Sequence, residues 1–179
     1  MMSLEDILNL ESERFFEYVS SLRYGYCDKH GKIHLAADVD FTVNDYSFSS
    51  PETIVKNNCG WCWDIAEFIK LYCKRKGIPC KSYFMEYLSD ELHQTHAQVF
   101  ILYREKWSAA PDNCLGLSFG TPCYDDPEAC IGWFSDLFTD YLKSTLKDKY
   151  SKENLIIKEY TCSIPAGISD DDYLAIVRQ

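Results

Sequence analysis

The sequence predicts an α+β domain, and three observations carry that expectation. Apolar residues recur at helical spacing through 62–76 and again through 126–142. The segments 80–88, 96–103, 107–110 and 155–160 are short runs rich in aromatic and β-branched residues, which read as strands. A polar turn, Arg104-Glu105-Lys106, joins two of them, so they pair as an antiparallel hairpin. No fixed-period repeat and no Pro/Ser/Gly-rich linker divides the 179 residues, and one domain spanning 1–179 is expected. A chain of this length buries roughly 70% of the surface its unfolded form exposes.

Residues 3–22 read as one helix. Ser3 and Asp6 make a capping box, and Leu8, Phe15, Val19 and Leu22 form its apolar stripe. The segment 24–49 is irregular, and its apolar pieces 33–37 and 39–43 fit either strands or an ordered loop. Ser50 as N-cap with Pro51 at N1 starts a short helix that must stop before Asn57-Asn58-Cys59-Gly60. The next helix, from Cys62 to Lys76, turns Ile65, Phe68, Ile69, Tyr72 and Cys73 inward and Asp64, Glu67, Lys70, Lys74 and Arg75 outward. Its acidic start, basic end and terminating Gly77 and Pro79 all suit the macrodipole and a C-terminal stop. Asp126 and Pro127 then open a helix presenting Cys130, Trp133, Phe134, Leu137, Phe138, Tyr141 and Leu142 to the core. The tail 169–179 fits a short helix or an edge strand.

Composition removes several function classes. With 28 acidic and 18 basic residues the net charge is −10, and the only tight basic run, Lys74-Arg75-Lys76, lies at a helix end. A nucleic-acid partner is therefore not expected. The 46% apolar content is spread along the chain, with no stretch near the ~20 residues that span a bilayer. The acidic, amphipathic N-terminus does not resemble a signal peptide. Nine cysteines, an odd number, without a secretory segment are expected to be reduced thiols in the cytoplasm.

One of those thiols stands where the backbone favours reaction. Cys62 falls at a helix N-terminus on the inward side, where free N–H groups and the positive dipole end stabilise a thiolate. His96 opens a strand and shares a face with Gln98, Phe100 and Leu102. If Arg104–Lys106 is a three-residue loop, hairpin partners have numbers adding to 210, so Tyr103 faces Trp107 and Gln98 faces Asp112. Asp112 is then the diagonal neighbour of His96, about 7 Å away between backbones and within side-chain reach. A register slipped by one, adding to 209, puts Asn113 opposite His96 instead.

The run Gly60-Trp61-Cys62-Trp63-Asp64-Ile65-Ala66, then Gly77-Ile78-Pro79, Thr95-His96-Ala97-Gln98-Val99, and Trp107 with Pro111-Asp112 resembles the transglutaminase-like branch of the papain-like cysteine enzymes. The likeness spans about 50–113. It implies a papain-like α+β fold with the nucleophile helix packed on an antiparallel sheet. It also implies a cysteine hydrolase (peptidase or amidase) or acyl transferase acting on a peptide or protein amide without metal or cofactor. Cys62 would be the nucleophile, His96 the general base and acid, and Asp112 the orienting residue, with Asn113 the alternative. The chain departs from the family at Gln98, where an aromatic is commoner, and in a five-residue step from Trp107 to Asp112 where four is commoner. The oxyanion would be held by the Cys62 N–H and a second donor, the Trp61 indole or an amide of Asn57 or Asn58.

Three other readings use the same residues. Cys59-Gly60-Trp61-Cys62 is a C-x-x-C redox pattern, though a short helix precedes it rather than the buried strand such oxidoreductases place there. Cys59 and Cys62 with His93 and His96 make a Cys₂His₂ set suited to zinc, with a core helix and strand between the pairs. A catalytically inactive transglutaminase-like protein-binding module is the third. The loop Leu115-Gly116-Leu117-Ser118-Phe119-Gly120 following the hairpin fits either a lid or a fixed connection.

Overall fold

The computed structural model describes residues 2–38, 43, 45–120 and 122–179, so of the piece 39–43 only Val43 lies among the described residues. Among these, six α-helices and two sheets form a mixed α+β architecture. Ser3 caps α1 (Leu4–Leu8) through the expected box: its Oγ accepts from the Asp6 N–H, and the Asp6 carboxylate accepts from the Ser3 N–H. A single helix to residue 22 does not form. The chain leaves helix at 9–11 and resumes as α2 (Ser12–Ser21). The carbonyls freed at the break find tertiary partners: Tyr72 Oη donates to Leu10 O at 2.9 Å, and Lys76 Nζ to Asn9 O at 3.1 Å. The expected stripe of Leu8, Phe15, Val19 and Leu22 is buried.

The irregular segment that follows contains a small sheet. Strand β1 (Arg23–Cys27) pairs antiparallel with β2 (Ile33–Leu35), where a Cβ on Gly25 would stand 2.2 Å from the His34 carbonyl oxygen. Only glycine lets the two strands close. Helix α3 (Pro51–Asn57) starts with Ser50 Oγ accepting from the Thr53 N–H and ends at Asn58 in the left-handed region, φ 48°. The turn delivers the chain into β3 (Cys59–Gly60), which runs parallel to β1 and sets Tyr24 beside Gly60. Helix α4 (Cys62–Lys76) begins at Cys62 and ends at Gly77, φ 67°, as expected.

The larger sheet is antiparallel, ordered β7-β6-β5-β4-β8. Its strands are β4 (Cys80–Leu88), β5 (His93–Tyr103), β6 (Lys106–Ala109), β7 (Cys123–Tyr124) and β8 (Leu155–Tyr160). Side-chain alternation divides two cores. Phe84, Ala97, Val99 and Ile101 pack with α1, α2 and α4 on one face, while Met85, Tyr87 and Phe100 pack with α5 (Pro127–Leu146) on the other. Asp126 caps α5 as expected, but its buried stripe is the narrower Cys130, Phe134, Phe138, Leu142 and Leu146, leaving Tyr141 exposed. The tail is a helix, α6 (Asp170–Val177), with Ser169 as N-cap.

The β5–β6 hairpin corrects the expected register. Pairs are Tyr103↔Lys106, Leu102↔Trp107, Ile101↔Ser108 and Phe100↔Ala109, adding to 209. The turn has two residues, Arg104 and Glu105, both at positive φ (51° and 63°), the backbone that matches strand twist in a tight hairpin. Lys106 belongs to the strand, not the turn. Pairing with β6 reaches only as far as Val99, which accepts from the Ala110 N–H at 2.8 Å. Before that point β5 has no β6 neighbour, and His96 sits in this stretch.

Candidate active site

Cys62, His96 and Asp112 come from three elements and meet. Cys62 occupies the first turn of α4, where the leading N–H groups have no partner inside the helix. His96 lies on the α5 face of β5, its ring stacked on Phe134 at 5.7 Å and Phe138 at 5.8 Å. Its Nε2 stands 2.7 Å from Asp112 Oδ2. The oxygen lies off the line of the ring N–H, so charge more than a linear hydrogen bond holds the pair. The Cys62 thiol lies near enough to the same ring to favour its charged form. Cys62, His96 and Asp112 are 6%, 2% and 5% exposed, which keeps water from competing for these contacts.

Burial alone would pull the His96 imidazole down. The Asp112 charge and then the Cys62 thiol outweigh it, so His96 keeps its proton well above the usual histidine range. Asp112 shows the converse: burial pushes it up, but the His96 charge and the N–H groups of Leu115 and Cys114 hold it below the usual carboxylate range. Those N–H groups donate to Asp112 Oδ1 at 3.0 and 2.8 Å, so one oxygen is anchored by its own turn while the other faces His96.

The slipped register does not bring Asn113 to the histidine. The ladder stops at Ala110 because Pro111 has no N–H to continue it, and Asp112 turns in through paired backbone bonds with Leu117 at 3.0 and 2.9 Å. Asn113 points the other way, its Nδ2 donating to Leu22 O at 2.7 Å and Val19 O at 3.1 Å. It ties down the end of α2. Gln98 is buried and donates to Ala110 O at 2.9 Å, holding the strand at the point where it peels away toward Asp112. The loop 115–120 is a fixed connection: the Asp112–Leu117 bridge closes its start, and Phe119 stacks on Phe16 at 4.1 Å.

Asp64 contradicts the expected outward face of α4. It is 0% exposed and accepts from Tyr46 Oη at 2.6 Å and from the Ser49 and Trp61 N–H groups at 2.9 Å each. This fixes the residue before Cys62. Burial, only partly offset by those donors, raises its carboxyl to about 6. The folded chain therefore keeps this proton to a higher pH than the unfolded one, and the group's contribution to stability, greatest below about pH 4, falls by roughly 3 kcal/mol as pH rises through 6. Asp64→Asn, which lacks the second acceptor, is expected to be less stable at pH 4, with the gap from wild type narrowing by that amount at pH 7. Urea titrations across this range check it, and a gap constant with pH would refute it.

Two side chains here carried no signal in the sequence. Tyr24, on β1 beside Gly60, lines the space around Cys62 and also the cleft that Cys114 lines, and its ring stacks on Trp61 at 4.6 Å. Burial, then those thiols, keep the hydroxyl protonated well above the usual phenol range. Tyr24 thus arrives through the β1–β3 pairing and Cys114 through the turn after Asp112. A void of only about 10 Å³ adjoins Cys62 on the Ile65, Ala66 and Ile69 side. A separate cleft of about 530 Å³ is bounded by Tyr24, Trp61, Trp63, Thr95, Cys114 and Tyr141, next to Cys62 in the chain through Trp61 and Trp63. Asn58 stays exposed as the C-cap of α3, with its carbonyl accepting from Arg23.

The zinc set is not assembled: His93 Nε2 is engaged by Glu86 at 2.7 Å, and among the described residues no three His, Cys, Asp or Glu stand as a metal-holding group. Cys59 lies in a two-residue strand after a helix, and burial pushes its thiol up to about 11. What the fold and site define is a helix-terminal cysteine, a strand histidine and a turn aspartate on an α+β scaffold. No protein-family model matches the chain, and no curated protein is significantly similar to it.

Proposed function

We propose that this chain is a cysteine enzyme of the transglutaminase-like, papain-like kind that opens an amide or peptide bond through a thioester. The observation carrying the proposal is the buried line Cys62–His96–Asp112, with Nε2 2.7 Å from the carboxylate. The proton that Cys62 gives up rests on His96, the sulfur attacks the carbonyl carbon, and Asp112 stabilises the imidazolium. The oxyanion accepts from the Cys62 N–H at the start of α4 and from the Tyr24 hydroxyl, since Tyr24 borders the same void as Cys62. His96 passes its proton to the leaving amine. Water or a second amine then resolves the thioester, giving hydrolysis or transfer. All nine thiols are free, which suits the reducing cytoplasm, and no helix among the described residues is long and apolar enough to cross a membrane.

The test is chemical capture. Incubated with an activated acyl ester at neutral pH, the protein is expected to gain one acyl mass at Cys62, released by hydroxylamine, before any other thiol reacts. An unmodified Cys62 beside acylated Cys123 or Cys162, both exposed, would leave an inactive binding module as the reading.

A further inference from the structure

Each residue of the site has a chain neighbour in the wall of one cleft. Trp61 and Trp63 flank Cys62, Thr95 precedes His96, and Cys114 follows Asp112 by two; all four border the same space of about 530 Å³. Tyr24, Tyr46 and Tyr141 line it too, so five aromatic rings face the cleft. Most of them are held before anything binds. Tyr24 stacks on Trp61 at 4.6 Å, Trp63 stacks on Tyr173 at 4.1 Å, and Tyr46 meets Trp63 edge-on at 5.3 Å. Rings fixed in this way attract a cation to their faces with little further ordering.

Charge points the same way. Among the described residues no lysine or arginine lines the cleft, whereas Asp170 does. Asp170 is exposed, with no hydrogen bond or ion pair to the described residues. Asp171 and Asp172 follow it in the first turn of α6, and the three carboxylates outweigh the roughly half positive charge of a helix start. His93, also in the wall, has its Nε2 held by the Glu86 carboxylate at 2.7 Å. We propose that the cleft holds the guanidinium of an arginine side chain on the amide substrate, stacked against the rings and paired with Asp170, so that the neighbouring bond is presented to Cys62. A guanidinium is favoured over an ammonium because it is planar and more weakly hydrated, which suits a space walled by rings. The net charge of −10 draws such a ligand in. Presentation to Cys62 rests on the cysteine-enzyme reading, while the binding itself does not.

Isothermal titration of the whole chain carrying Cys62→Ala with acetyl-Ala-Arg-Ala amide tests it, because no acylation can follow. The comparison peptides carry citrulline, the neutral isostere of arginine, or lysine or glutamate in its place. The arginine peptide is expected to bind about tenfold more tightly than the citrulline one, with lysine between them and glutamate weakest. That advantage should shrink in about 0.5 M salt. Asp170→Asn, at an exposed position in a helix still capped by Ser169, should cut the arginine-over-citrulline ratio to about threefold or less. Equal affinity for arginine and citrulline, no binding of the arginine peptide, tighter binding of the lysine peptide, or an unchanged ratio in Asp170→Asn would each overturn the proposal. Arginine binding in a wild-type chain whose Cys62 captures no acyl group would instead remove the enzyme reading and leave this site standing as that of a binding module.

Discussion

Replacing Asp112 with Ala is expected to cost about 3–5 kcal/mol of stability, because it leaves a buried, proton-holding His96 without its counter-charge. It also frees the N–H groups of Cys114 and Leu115. Asp112→Asn keeps the shape and removes the charge, so it should fold while lowering the rate of Cys62 acylation by about 10²–10⁴-fold. The pH dependence follows with a definite sign. The raised His96 pKa contributes stability that is complete below about pH 6.5 and is lost as pH rises through the folded value. The lowered Asp112 pKa contributes stability that is present above about pH 3.9 and is lost as pH falls through its folded value. Both slopes should flatten in Asp112→Asn. Asn113→Ala removes hydrogen bonds to Val19 O and Leu22 O, so it is expected to cost about 1–3 kcal/mol with acylation changed by only a few-fold. Denaturant titrations and acylation rates of the three variants check the pair. Asn113→Ala as the more damaging to rate would reverse the assignment.

Cys62→Ala is expected to abolish acyl capture while the fold persists, since the side chain lost is small and α4 keeps its contacts with β5. His96→Gln should keep the thiol and slow acylation by roughly 10³–10⁵-fold, the range in which members of a nucleophile–base pair fail singly. The double variant should be no worse than Cys62→Ala, because residues that act as a unit are not additive. Stopped-flow acylation with near-ultraviolet circular dichroism separates chemistry from unfolding. A His96→Gln protein acylating at the wild-type rate would remove the imidazole from the mechanism and leave Cys62 merely an accessible thiol.

What the sequence determined by itself is local. Ser3, Ser50 with Pro51, and Asp126 with Pro127 open helices because a side-chain oxygen or a missing N–H satisfies the first turn wherever it occurs. Gly77 closes α4 because it enters the left-handed region without strain. Those ends, with the 3.6 period between them, put Cys62 at a helix start. The period of two put His96 on one face of its strand. Tertiary structure decided the rest, because each remaining feature depends on partners remote in sequence. Asp64 looks solvated from its neighbours Glu67 and Lys70, yet Tyr46 and Ser49, 18 and 15 residues away, bring the donors that bury it. The helix expected over 3–22 breaks because α4 supplies donors to the carbonyls at 9–10, some 60 residues away. The hairpin register was decided by two residues at positive φ, a backbone that Arg104 and Glu105 do not announce. Asp112 nonetheless reached His96 in that register, because its position is set by the end of the ladder at Pro111 and by its bridge to Leu117 rather than by pairing across the hairpin. Tyr24 and Cys114 joined the site through a two-residue parallel pairing and a tight turn, contacts too short to leave any period in the sequence.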